Sequence, residues 1–209
     1  MTRIYALTFL LFSACFALPA TAQGDGTKFT TFAGFELGKV TLGQITEYLG
    51  PAKLLESGDA GEYEAKICYR TNAGLVYFLS GEMGGPEHDL LGFAVSSNDT
   101  TKPCPEFPAN RVPKKLNLAG LRLGLTKAEF SRVVNTNIQW DGNIGRAFFQ
   151  SKRTMSPAEI EKLPQDVKVA TLAWKMQNYF DVVVSMIGIF SGDKLIEFQV
   201  WKVETLENG

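Results

Sequence analysis

The stretch GEMGGPEHD at 81–89 holds the densest group of side chains that could do chemistry. Glu82, Glu87 and His88 combine carboxylates with an imidazole, and these groups serve as metal ligands and as general acids and bases. One interpretation is therefore an envelope hydrolase or metal-dependent enzyme centred on these residues. The alternative is a glycine-rich turn whose polar residues face water. We favour the turn, because the related stretch at 190–200 makes a similar turn without the cluster.

No other motif for catalysis accompanies this stretch. His88 is the single histidine, so a Ser-His-Asp set could form only around it. The sequence contains no Gly-x-Ser-x-Gly elbow and no phosphate-binding loop. We therefore predict a protein that is not an enzyme, with no catalytic, cofactor-binding or metal-binding residues.

The N-terminus predicts export. Arg3 is followed by an uncharged run and then by Ala20-Thr21-Ala22, the small-residue pattern that signal peptidase cleaves. We expect cleavage after Ala22, a mature chain that begins at Gln23 in the periplasm or outside the cell, and no transmembrane span in that chain. The alternative is that FSAC is a lipobox, in which case Cys15 would carry a lipid.

Removal of residues 1–22 leaves 187 residues (209 − 22) with 20 cations (21 − 1) and 22 anions. This balance argues against a nucleic-acid partner, which would require a basic surface. Cys68 and Cys104 are the two cysteines that remain, and in an oxidising compartment we expect them to form a disulfide. A zinc site is the alternative, but two thiols and His88 would need a carboxylate to complete four ligands.

A phrase of the sequence occurs twice, as GFELGKVTLGQI at 34–45 and GLRLGLTKAEF at 120–130. Each copy predicts a helix start with a capping box, in which a threonine caps the helix and the residue three positions later reaches back. The predicted pairs are Thr41 with Gln44, and Thr126 with Glu129. The first helix should bury Leu42, Ile45 and Leu49 and end at Gly50-Pro51. A third, shorter helix is predicted at 156–164, where Ser156 precedes Pro157.

Apolar residues alternate with polar ones after each of the two matching helix starts, which predicts antiparallel strands. Near the C-terminus, Ser191-Gly192-Asp193-Lys194 predicts a tight hairpin turn. The residues predicted to face the helix after this turn are Ile196, Phe198 and Val200, and those predicted to face the other way are Leu195, Glu197, Gln199, Trp201 and Val203. An aromatic residue on an uncovered sheet face often anchors an interface, so Trp201 is our candidate binding residue. The alternative is that Trp201 packs under the other repeat or the C-terminal tail.

The sequence therefore predicts an α+β fold of two tandem repeats, each a helical segment packed on one face of an antiparallel β-meander. The first repeat spans 23–97, and the second spans 116–209 with an inserted short helix. A proline-rich linker at 98–115 joins them, and the disulfide should tie it across the outside of the first sheet.

This pattern resembles the β-lactamase-inhibitor-protein-like fold, whose unit is also found in the small outer-membrane assembly lipoproteins of the SmpA/OmlA type. The resemblance covers residues 34–97 and 118–203 and rests on the two helix-start phrases GFELGKVTLGQI and GLRLGLTKAEF. It implies helices packed against a curved sheet and a role in binding other proteins without catalysis. The expected partner is a protein of unknown identity, bound through exposed sheet surface.

Overall fold

The computed structural model describes residues 26–59, 61–97, 103–111, 116–163, 165 and 179–206. The predicted signal peptide, the cleavage site after Ala22 and Cys15 lie outside these residues. So do two pieces of the predicted linker, at 98–102 and 112–115.

Within the described residues, the fold is a mixed α and β structure in which eight strands form one continuous antiparallel sheet. Two short strands of two residues each, β1 (Thr31–Phe32) and β2 (Phe35–Glu36), pair with each other before this sheet begins. The sheet strands are β3 (Leu55–Ser57), β4 (Glu64–Thr71), β5 (Gly74–Gly81), β6 (Gly92–Ser96), β7 (Ile138–Asp141), β8 (Ile144–Thr154), β9 (Tyr179–Ser191) and β10 (Lys194–Leu206). Their order is β3-β4-β5-β6-β10-β9-β8-β7. We call strands β3 to β6 the first half of the sheet and strands β7 to β10 the second half. The last strands of the two halves, β6 and β10, pair with each other, with Phe93 opposite Val200.

Two eight-residue helices, α1 (Leu42–Leu49) and α2 (Lys127–Val134), contribute to the core on one face of the sheet, which we call the inner face. The capping boxes predicted for both helices are present: each threonine hydroxyl accepts from the third helical amide, and the Gln44 or Glu129 side chain accepts from the cap amide. In α1 the three side chains predicted to be buried are buried: Leu42, Ile45 and Leu49. In α2, Phe130 packs directly over Gly188 of β9.

The approach to each helix makes the same backbone contacts. A tight turn at Ala33-Gly34 precedes α1 and another at Ala119-Gly120 precedes α2, and all four residues have positive φ. The Gly38 amide donates to the Leu90 carbonyl, and the Leu90 amide donates to Val40. Before α2, the equivalent bonds run from Gly124 to the carbonyl of Leu195 and from Leu195 to the carbonyl of Leu125. Glycine suits these turns because it adopts positive φ without steric cost.

The predicted third helix is α3 (Pro157–Lys162), which lies between β8 and β9 with Ser156 as its cap. The predicted turn between β9 and β10 is also present, because Ser191 pairs with Lys194 across Gly192-Asp193. The Lys127 amide donates to the Asp193 carboxylate, so this turn also holds the start of α2.

One part of the predicted strand pattern is wrong. Leu195, predicted to face outward, is buried in the core, whereas Ile196, predicted to face the helix, is 37% exposed. The register of β10 against β9 shifts between Leu195 and Glu197. The extra residue in this β-bulge is Ile196, and the bulge reverses the alternation on its N-terminal side only. Phe198 and Val200 therefore still face the core, as predicted.

Candidate binding surface

The face of the sheet opposite the helices, the outer face, can be followed row by row from the strand register. One row crosses seven strands, because directly paired residues of antiparallel strands point to the same side. In order from β8 through β9, β10, β6, β5 and β4 to β3, this row is Phe148, Ser185, Trp201, Gly92, Leu79, Lys66 and Leu55. The next row is Arg146, Ile187, Gln199, Ala94, Tyr77 and Cys68.

The outer face of the first half, strands β3 to β6, is covered. Cys104 lies on it and forms the disulfide with Cys68 that the sequence predicts, with an S–S distance of 2.05 Å. Residues 103–107, which we call the strap, then reach the edge of β4. There the Arg70 amide donates to the Pro105 carbonyl, and the Phe107 amide donates to the Arg70 carbonyl. Four residues on this part of the outer face are buried to 4% exposure or less: Cys68, Leu75, Leu79 and Ala94. Leu55 and Tyr77, which also lie on this face, are partly buried.

The strap ends in the core. The Phe107 ring packs edge-on against Tyr69 with ring centroids 5.6 Å apart, and Tyr69 belongs to the inner face. The Tyr69 hydroxyl donates to the Gly50 carbonyl at the end of α1, at 2.6 Å. Burial raises the pKa of Tyr69 to about 12, because the phenolate would lose its hydration.

The outer face of the second half, strands β7 to β10, carries a group of apolar side chains that remain partly accessible. Phe148 is 44% exposed, and the others are partly buried. We call this group the outer patch: Phe148, Val183, Ile187, Ile189, Trp201 and Val203. Among the described residues, no helix, strand or disulfide-linked segment lies over it.

Trp201 stands at the border between the two halves. Its ring lies directly over Gly92 of β6. If Gly92 carried a Cβ atom, that atom would be only 2.8 Å from the Trp201 Cδ2 atom. The indole Nε1 donates to the Gln199 side-chain oxygen at 3.4 Å, and the Gln199 amide donates to Glu197 at 2.8 Å. Trp201 is therefore on the outer face, as predicted, and also packs on the neighbouring half, which was the alternative.

The loop at 81–89, which holds Glu82, Glu87 and His88, binds the first turn of α1. The Leu42 amide donates to the His88 carbonyl at 3.0 Å, and the Gly61 amide donates to the Glu82 carboxylate at 3.1 Å. The His88 ring stacks on Tyr63 with centroids 6.2 Å apart, and Glu87 is exposed. In the part of the chain that the structure describes, no three His, Cys, Asp or Glu side chains converge as metal ligands would.

A second polar cluster joins α3 to the end of the sheet. The Arg153 guanidinium donates to both carboxylate oxygens of Glu159 and to Glu204, and it lies over the Phe180 ring. These bonds from Arg153 lower the pKa of Glu159 to about 2, and they also raise the pKa of Arg153. The cluster lines a cleft of about 270 Å³, and its charged groups Arg153, Glu159, Lys202 and Glu204 bind one another.

None of the helices in the described residues is long and apolar enough to cross a membrane. Sequence reasoning found the disulfide and the outward side of Trp201 and Val203, but it missed the other four members of the outer patch, Phe148, Val183, Ile187 and Ile189. Ile187 lies in the run DVVVSMIGIF, which is apolar on both faces, and such a run does not show which face stays open.

No protein-family model matches the chain, and no curated protein matches it. Among solved structures, the chain is similar to a candidate β-lactamase inhibitor protein from Streptococcus mutans. The match has 8% sequence identity and covers 86% of this chain and 90% of that one, with a TM-score of 0.25. At this TM-score the superposition does not establish a shared fold.

Proposed function

We propose that the protein is an exported, non-enzymatic module of the bacterial envelope, an accessory or inhibitor-like protein, that binds a protein partner through the outer face of its sheet. The observation that carries this proposal is the outer patch, in which six apolar side chains stay partly accessible on one face of three neighbouring strands, β8, β9 and β10. Contiguous exposed apolar patches with polar rims are typical of protein interaction sites.

The chemistry of the patch favours a protein as partner. Its rim carries opposite charges in pairs, Arg146 with Asp141 at 3.8 Å and Lys152 with Asp181 at 4.0 Å. Such a rim gives no basic field for nucleic acid. A flat apolar sheet surface with aromatic residues fits the composition of interface cores, in which charged residues are depleted.

The proposal includes a two-repeat organisation, with repeats at 23–97 and 116–209 and a linker at 98–115. The matching capping boxes, the matching positive-φ turns and the matching pair of backbone bonds before each helix all support it. It also includes export with cleavage after Ala22, which the disulfide supports because disulfides persist in oxidising compartments.

The direct test is partner capture from an envelope extract, followed by measurement of the dissociation constant with the purified partner. We expect Trp201→Ala to weaken binding by about 2 kcal/mol, roughly thirtyfold, as for an aromatic at the centre of an interface. Met83→Ala is the matched control, because Met83 is 57% exposed but lies on the loop that follows β5. It should leave the affinity unchanged.

Thermal unfolding of the same variants separates the alternatives. If Trp201→Ala lowers the melting temperature sharply while the folded fraction still binds normally, Trp201 is a packing residue and not the anchor. Metal-dependent hydrolysis that is lost in His88→Ala would contradict the non-enzymatic proposal as a whole.

A further inference from the structure

A groove of about 280 Å³ lies on the outer face where the two halves meet. The strap residues Pro103 and Cys104 form one wall, and Glu197 and Gln199 of β10 form the other. The apolar part of its lining comes from four residues: Leu55, Tyr77, Leu79 and Ala94.

The groove follows from the side chains in two neighbouring rows. In one row, Ala94 stands between Gln199 and Tyr77, so a small residue is flanked by two long ones. In the adjacent row Gly92 is smaller still, but Trp201 lies over it and fills that position. The depression therefore lies beside Ala94, and Gln199, which accepts a hydrogen bond from the Trp201 indole, stands between it and the outer patch.

The charges around the groove are not balanced. Lys66 binds Glu64 at 2.5 Å, which pairs the cation with one of the two carboxylates. The second carboxylate, Glu197, accepts a hydrogen bond from the neutral Gln199 amide. Within the described residues no cation lies at ion-pair distance from Glu197, so the groove carries one uncompensated negative charge.

We propose that this groove receives a lysine or arginine side chain of the protein partner, an inference that rests on the proposed function. A long basic side chain combines an aliphatic stem with a charged head. Its stem would lie along Leu79 and Ala94, and its head would reach Glu197. A purely apolar side chain would desolvate Glu197 without compensation, and an acidic one would be repelled.

The first test uses the full mature chain and a pair of small probes. Nα-acetyl-lysine methylamide is titrated against Nα-acetyl-norleucine methylamide, which keeps a linear aliphatic side chain but lacks the ammonium. We expect the lysine probe to shift the NMR signals of the Gln199 amide and the Trp201 indole in a saturable way, and the norleucine probe to have no such effect. Equal shifts with both probes would overturn the proposal.

The second test changes the carboxylate. Glu197→Gln should raise the dissociation constant of the lysine probe about fivefold, the loss expected for a partly exposed ion pair. Glu47→Gln is the matched control, because Glu47 is an exposed residue of α1 on the opposite side of the sheet. An unchanged constant in Glu197→Gln, or the same change in both variants, would contradict the assignment.

Partner binding distinguishes failure of the groove from failure of the function. If Trp201→Ala abolishes partner binding but Glu197→Gln does not alter it at low or high salt, the outer face is the interface and the groove is not its basic pocket. If neither substitution affects partner binding, the proposed interface itself is wrong.

Discussion

The two halves of the sheet differ in what covers their outer faces. In the first half, the strap and the Cys68–Cys104 disulfide lie on this face, and Cys68, Leu75, Leu79 and Ala94 are buried. In the second half, Phe148 is 44% exposed and its apolar neighbours remain partly accessible. Burial of apolar surface stabilises a fold, so leaving such surface accessible on one half has a cost that a binding function would explain. The difference arises from the strap, which lies on the outer face of the first half.

The largest expected effect comes from removing the bond that fastens the strap. Cys68→Ala/Cys104→Ala should lower the free energy of unfolding by about 4 kcal/mol, because the disulfide closes a separation of 36 residues in the unfolded chain. For a chain of this size, that corresponds to a fall of roughly 10 °C in melting temperature by calorimetry.

The same variant should also make the outer face of the first half more accessible, as it is in the second half. Binding of an apolar dye to the folded protein should increase, because Leu79 and Ala94 lose part of their cover. If the melting temperature and the dye signal both stay at the wild-type values, the disulfide does not maintain the difference between the halves.

A smaller effect is expected at the border between the halves. Gly92→Ala should cost about 1–3 kcal/mol, because its new Cβ would lie 2.8 Å from the Trp201 ring and overpacking forces neighbours to move. In a Trp201→Ala background the same substitution should cost less, since the ring is gone. Urea unfolding of the four proteins in this cycle measures the coupling. An equal cost in both backgrounds would show that the Val200 carbonyl, 3.0 Å from the same Cβ, causes the strain.

The smallest expected effect concerns Tyr69, whose ring lies against Phe107 of the strap. Because burial raises the pKa of Tyr69 to about 12 from 10.0, the folded state holds the proton more tightly than the unfolded state. Its contribution is complete below pH 10 and is lost as the pH rises from 10 towards 12. Tyr69→Phe should cost about 1 kcal/mol at neutral pH through the lost bond to Gly50.

Urea unfolding between pH 9 and pH 12 checks this expectation. The stability difference between wild type and Tyr69→Phe should shrink as the pH rises through this range. Parallel profiles for the two proteins would mean that Tyr69 is not held in an apolar site beside Phe107.

Local features of the fold could be predicted from the sequence, because they depend on residues close together in the chain. The capping boxes at Thr41 and Thr126 and the turn at Gly192-Asp193 are of this kind. The pairing of β6 with β10 could not be predicted. Hydrophobic alternation indicates which face of a strand is buried, but it does not determine which other strand pairs with it. The β-bulge at Ile196 could not be predicted either, because an inserted residue does not alter the composition of the strand.

The candidate site was predictable only in part. Alternation placed Trp201 on the outer side, but its position over Gly92 depends on the pairing of two strands that are far apart in sequence. The course of the strap depends equally on a long-range contact, the backbone pairing of Arg70 with Pro105 and Phe107. The sequence did predict that the disulfide ties this segment across the outside of the first sheet, but it did not predict the backbone pairing with the edge of β4.

Site-specific photo-cross-linking in cells shows directly whether a protein partner binds the outer patch. A benzoylphenylalanine is placed at Ile187, in the middle of the outer patch, or at Tyr48, which is 52% exposed on α1 on the other side of the sheet. We expect a cross-linked protein partner from position 187 and none from position 48. A partner cross-linked from position 48 but not from position 187 would contradict this expectation.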